Sequence, residues 1–176
     1  SGIDSKIATK GWKVFEPNRR GGHELSGSAA TISIRMFLRA RGDDMGKMME
    51  INSGRVINNI LIDAETGLMV DGTYISVITK KGEFIIAGPK ENDRLAWYHF
   101  ELSLGDDVLT AGEIFFENGV PIKARPKSGT YSPRESPGLL KKYNDQFPEV
   151  VDYFIDYFGI NKPAGGIEFL RFDQDF

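Results

Sequence analysis

The stretch Ala111-Gly112-Glu113-Ile114-Phe115-Phe116-Glu117-Asn118-Gly119-Val120-Pro121-Ile122-Lys123-Ala124 sets the architecture. Gly112–Glu117 and Val120–Ala124 read as strands, and between them stands Asn118-Gly119, the dipeptide best suited to a type I′ turn. Working outward, Tyr74–Thr79 and Glu83–Ala87 flank Lys80-Lys81-Gly82 and predict a second hairpin. Trp97–Leu104 alternates in the manner of a strand, as does Ala29–Arg39, where Ile32, Ile34, Met36 and Leu38 share a face. A further strand is expected at Arg55–Asp63, turned by Glu65-Thr66-Gly67 into Leu68–Val70.

After the Gly/Ser/Pro-rich Ser128–Gly138 the period changes. Leu139, Leu140, Tyr143 and Phe147 fit one helix. Pro148 suits the first position of a second, which carries Val150, Val151, Phe154, Tyr157 and Phe158 and ends at Gly159. A short strand is expected at Ile167–Arg171. Strands followed by helices predict an α+β fold with a mainly antiparallel sheet system, not a βαβ repeat. Without repeats or an obvious linker, residues 1–176 read as one domain after a loop-rich opening over 1–28. Ser1-Gly2 has the look of a protease-cleavage scar.

Composition narrows the chemistry. The 176 residues are 40% hydrophobic and 27% charged, enough for a sizeable core without staples. The sequence contains no cysteine and two histidines, which excludes disulfide scaffolds, thiol nucleophiles and Cys-ligated zinc. A formal charge of −3 argues against nucleic acid as a partner. No apolar run approaches the roughly 18 residues of a membrane span, and no signal peptide is visible. G-x-S-x-G, P-loop, G-x-G-x-x-G and H-E-x-x-H motifs are all missing.

Polar residues inside the strand patterns are the candidates. If Trp97–Leu104 is a strand, His99, Glu101 and Ser103 line one face at steps of about 6–7 Å. A histidine, a carboxylate and a hydroxyl so spaced can orient a ribose, although a solvated edge face would show the same pattern. Glu113 follows Ala111-Gly112, small residues that allow a ligand close to the backbone. Lying deeper in its strand than Glu117, it is the better placed for partial desolvation. His23 sits in the loop Arg19-Arg20-Gly21-Gly22-His23-Glu24, which can wrap a ligand or be simply a loop. Tyr131 lies in the turn Ser128-Gly129-Thr130-Tyr131-Ser132-Pro133, as a connector or as a ring to stack on a ligand.

In order, Trp97-Tyr98-His99-Phe100-Glu101-Leu102-Ser103, Ala111-Gly112-Glu113-Ile114, Asn118-Gly119 and Ser128-Gly129-Thr130-Tyr131-Ser132-Pro133 resemble the C-terminal module of bacterial polymorphic toxins. The same module occurs in plant IQ-motif-containing calmodulin-binding proteins. Gly22-His23 aligns with an upstream Gly-His element, and the resemblance spans Val14 to Phe158. There are departures. The family's two serines after the histidine are here Phe100 and Glu101, and its Ser-Gly-His-Tyr is Ser128-Gly129-Thr130-Tyr131. Retention of Glu113 sides with the bacterial members, because most plant members carry a basic residue there.

The resemblance implies a split two-sheet ADP-ribosyltransferase-like core followed by C-terminal helices. It implies a toxin or effector that transfers ADP-ribose from NAD, without a metal, to a host or target-cell protein. Effectors that modify ubiquitin on threonine are among the relatives it suggests, so ubiquitin is one expected acceptor and an immunity protein an expected partner. Glu113 would steady the charge developing on the ribose, with Glu101 as its rival. His99 and Ser103 would orient that ribose, Arg20 or His23 the adenosine and diphosphate, and Tyr131 would cover the nicotinamide. Secretion or injection into a target cell, with action in its cytoplasm, belongs to the same expectation. An NAD glycohydrolase and a non-enzymatic protein-binding module are the alternatives. Calmodulin is not expected, since Lys141-Lys142-Tyr143 is too little basic surface for a target helix.

Overall fold

The computed structural model describes residues 9–18, 35–39, 52–63, 66–90 and 98–176, with the backbone alone at 35–39 and 52–53. Its elements run β1 (Arg35–Arg39), β2 (Asn52–Ile57), β3 (Ile60–Asp63), β4 (Gly72–Thr79), β5 (Glu83–Ala87), α1 (His99–Ser103), β6 (Val108–Glu117), β7 (Val120–Arg125), α2 (Pro137–Tyr157) and β8 (Glu168–Phe169). Strands predominate, and the fold mixes α and β as expected. The hydrogen-bonded order is β3-β2-β1-β5-β4-β6-β7-β8. Its centre, β1-β5-β4-β6-β7, is antiparallel, while β1–β2 and β7–β8 pair in parallel. Residues 52 and 53 of β2 pair with β1 and residues 54–57 with β3, so the β2–β3 ladder is a small antiparallel appendage.

Local chemistry explains the hairpins. Asn118 and Gly119 sit at φ 48° and 80°, the left-handed pair that a type I′ turn demands. At the β4–β5 turn the Gly82 amide donates to the Thr79 carbonyl at 2.9 Å. The strand expected at Arg55–Asp63 is instead a third hairpin. Asn58 and Asn59 turn it at φ 53° and 63°, a conformation asparagine tolerates better than most residues. Asn59 then ties this turn to the end of α2, its side chain donating to the Gly159 carbonyl at 2.8 Å.

Two apolar clusters use the two faces of the central strands. Tyr74, Phe84, Ile114 and Phe116 meet Phe147, Val150, Val151 and Phe154 of α2 on one face. On the other, Ile75, Val77, Ile85 and Ala111 pack with Leu102 of α1 and with Phe15, Tyr131 and Tyr143. The two helices expected after Gly138 are one. Pro148 lies inside α2, where it cannot supply the N–H that would bond the Asn144 carbonyl. Burial of Phe147, Val150, Val151 and Phe154 along one stripe holds the helix through that break. Gly159, at φ 72°, follows its end as expected.

Trp97–Leu104 is the main correction to the strand pattern. Residues 99–103 are helical, and their alternation does not reflect a pleat. Glu101 Oε1 accepts the Tyr98 amide at 3.1 Å, and the Gly105 amide closes the far end on the Phe100 carbonyl at 3.2 Å. Leu104 takes the left-handed conformation at φ 56°. Both ends of a single turn are thereby satisfied, which local alternation cannot reveal. No described helix is long and apolar enough to cross a membrane.

Candidate active site

Glu113 lies on the β6 face opposite α2, paired across the ladder with Ile75 of β4 and Arg125 of β7. It is 1% exposed. Arg125 reaches one carboxylate oxygen twice, through Nε and through Nη2, each at 2.7 Å. Lys90, just beyond β5, forms an ion pair with the other oxygen. Burial pushes the carboxyl up, but the hydrogen bond and charge of Lys90 and the Arg125 guanidinium outweigh it. The group is held below the usual carboxylate range and stays ionised.

Neither Lys90 nor Arg125 stands out in the sequence. Counting back from the Asn118-Gly119 turn places Ala124 opposite Glu113. A bulge shifts the β6–β7 register between Phe115 and Phe116, and Arg125 moves into that position. The small residue before Glu113 admits the protein's own chain, where a close ligand was the expectation. A Cβ on Gly112 would stand 2.3 Å from the Arg125 carbonyl and 2.5 Å from the Phe147 ring.

His99, from α1, is buried on the same side. Its Nε2 donates to the Gly112 carbonyl at 2.8 Å, which fixes the tautomer. Desolvation lowers its pKa; the Gly112 carbonyl and Glu113 oppose this, and Lys90 adds to the lowering. One helical turn on, Ser103 Oγ lies 3.2 Å from the His99 carbonyl and donates to the Tyr131 hydroxyl at 2.5 Å. That hydroxyl in turn donates to the Asp106 carbonyl. Tyr131 is fully buried, and burial pushes its phenol up to about 12.

Of the residues singled out by sequence, Glu113, His99, Ser103 and Tyr131 therefore converge on one side of the sheet. Glu101 does not share their arrangement, because its carboxylate caps α1 at Tyr98. Ser103 and Tyr131 bond to each other and to backbone, so they brace the site from behind. Arg20 and His23 lie outside the described residues. The segment leading toward Arg20 is anchored beside Tyr131, where the Asn18 amide donates to the Thr130 carbonyl at 2.5 Å and its side chain to Ser132 O at 2.6 Å.

A groove of about 770 Å³ opens there, between Phe15, Pro17 and Asn18 on one wall and Arg134 and Leu139 on the other, with Tyr131 behind. Its volume is within the range of ligand clefts. Among the described residues there is no cluster of His, Asp or Glu that would hold a metal ion. No protein-family model matches the chain, and neither does any curated protein or solved structure.

Proposed function

We propose that this chain is an ADP-ribosyltransferase-like toxin or effector domain that transfers ADP-ribose from NAD to a side chain of a target-cell protein. Ubiquitin is one acceptor to test, and delivery by secretion or injection belongs to the same reading. The observation that supports it best is Glu113: a buried, ionised carboxylate with histidine beside it, on the side of the sheet where Tyr131 backs a groove of about 770 Å³.

In that reaction the C1′–N bond of NAD breaks and nicotinamide leaves as a neutral base with the bonding electron pair. Positive charge develops on the ribose, and an ionised, preorganised carboxylate lowers the energy of that state. Glu113 fills this role with one carboxylate oxygen turned to the ribose hydroxyl. The acceptor's lone pair closes the new bond at C1′, and its proton passes to solvent. Lys90, 16% exposed, is the partner free to swing toward water and release an oxygen of Glu113. Arg125 stays to keep the carboxylate ionised.

Nicotinamide release from NAD, followed with and without a target-cell lysate, tests the reading beside Glu113→Gln at a temperature where that variant is folded. Release that needs both lysate and Glu113 is the expected result. Release without lysate that still needs Glu113 would mean a glycohydrolase. No release in either condition would sink the enzymatic reading. The saturated ion pairs of Glu113 would then be structural, as in a protein-binding module.

A further inference from the structure

Arg125 carries more partners than Glu113. Its Nη1 donates to the Gln174 carbonyl, the Asp175 carboxylate lies 3.9 Å from the same nitrogen, and the Phe176 ring covers the guanidinium at 4.7 Å. Phe176 also packs 6.2 Å from Phe115, two residues from Glu113 and so on the same strand face. A local turn sets this geometry. The Gln174 amide donates to the Arg171 carbonyl at 3.1 Å, and Gln174 Oε1 accepts the Arg171 amide at 2.8 Å.

We infer that Gln174–Phe176 form a strap over the Arg125–Glu113 pair, and that a phosphate-bearing substrate displaces it to reach Glu113. This rests on the reading of Glu113 as the reacting carboxylate. Nε and Nη2 of Arg125 are committed to Glu113, which leaves the Nη1 edge for any other anion. A guanidinium edge pairs well with phosphate oxygens. The Gln174 carbonyl and the Asp175 carboxylate occupy that edge with oxygen acceptors of the protein's own.

The strap is built to lift. Residues 171–175 are exposed, and the contacts described between the strap and the sheet are one ring over a cation, one ring beside Phe115, one carbonyl on Nη1 and the Asp175 carboxylate 3.9 Å from the same nitrogen. Core residues on the same face have no such freedom, since Ile75, Val77 and Ala111 are at most 1% exposed.

The test combines Gln174→Pro, which removes the amide that closes the turn, with Phe176→Ala, which removes the cover. Phenylglyoxal modification of Arg125 is timed by peptide mass spectrometry, and nicotinamide release from NAD is measured on unlabelled portions of the same preparations. We expect Arg125 to react at least about tenfold faster in the double variant, on the reasoning that labelling follows the open population. NAD should slow that labelling, and nicotinamide release should rise. Unchanged labelling would overturn the strap, and faster labelling with unchanged release in a chain that turns over NAD would overturn its role as a gate. If neither chain releases nicotinamide, the NAD reading fails, and labelling alone judges the strap.

Discussion

Replacing Glu113 by glutamine keeps the shape of the side chain and removes one charge from beside two cations. The consequence differs between them. Lys90 is 16% exposed on a long flexible stem and can turn its ammonium to water. Arg125 is 8% exposed, and while the strap is closed Phe176 covers it and its remaining acceptors are the Gln174 carbonyl and Asp175 at 3.9 Å, so its charge stays buried without a close carboxylate. Breaking a buried pair by removing one partner costs about 3–5 kcal/mol. For a chain of this size each kcal/mol moves the melting temperature by about 2–4 °C, so Glu113→Gln should lower Tm by about 6–20 °C. Adding Arg125→Met removes the stranded charge and keeps an apolar stem under Phe176. The double variant should regain at least half of the loss. Thermal unfolding followed by circular dichroism reads both. A Glu113→Gln protein melting within about 2 °C of the parent would refute the reasoning, because Arg125 would then reach water by lifting the strap at almost no cost. Failure of Arg125→Met to recover stability would do the same.

Three further outcomes follow from the same region. Glu113 and His99 both have folded pKa values below their ordinary ones, so the unfolded chain binds more protons and acid destabilises the fold. Urea midpoints should fall first below about pH 6.5 as His99 charges in the unfolded state, and again below about pH 4.3 as Glu113 follows; His99→Asn should flatten the first limb. Gly112→Ala puts a methyl carbon 2.3 Å from the Arg125 carbonyl and 2.5 Å from the Phe147 ring. It should cost about 3 kcal/mol or more in urea unfolding, since backbone cannot yield as a side chain can. Tyr131→Phe strips a hydroxyl from Ser103 and the Asp106 carbonyl in a buried setting. A loss of about 1–3 kcal/mol is expected, again from urea midpoints.

The hairpins were legible because their turns are written in residue types that tolerate positive φ. Asn118-Gly119 and Gly82 mark theirs openly. Asn58-Asn59 carries the same signal, but inside what otherwise passes for one strand. The alternating pattern puts His99, Glu101 and Ser103 on one strand face, whereas they lie on one helical turn whose start Glu101 caps. In five residues a period of two and a single helical turn are hard to tell apart, and the cap at Tyr98 depends on a side chain three residues away. The depth of Glu113 in its strand, relative to Glu117 beside the turn, points to partial desolvation, and it is 1% exposed. Its two cations were not, because Lys90 arrives from beyond β5 and Arg125 through a one-residue bulge beside Pro121. Such register shifts leave little trace in composition or period.

The segment from Trp12 to Asn18 is held almost wholly by residues far ahead of it in the chain. The Lys13 amide donates to Gln146 Oε1 at 2.8 Å, and Gln146 Nε2 donates back to the Lys13 carbonyl at 2.7 Å. Phe15 bridges Val108, and Asn18 bonds Thr130 and Ser132. A ribosome adding about 5–20 residues each second leaves this segment without its partners for about 6–25 s after Asn18 is made. During that interval Trp12 and Phe15, buried in the finished protein, lack the α2 rings of Tyr153 and Tyr143 that pack on them. Whatever holds the nascent chain must shield those two rings, and the fold cannot be completed before Gln146 has left the exit tunnel.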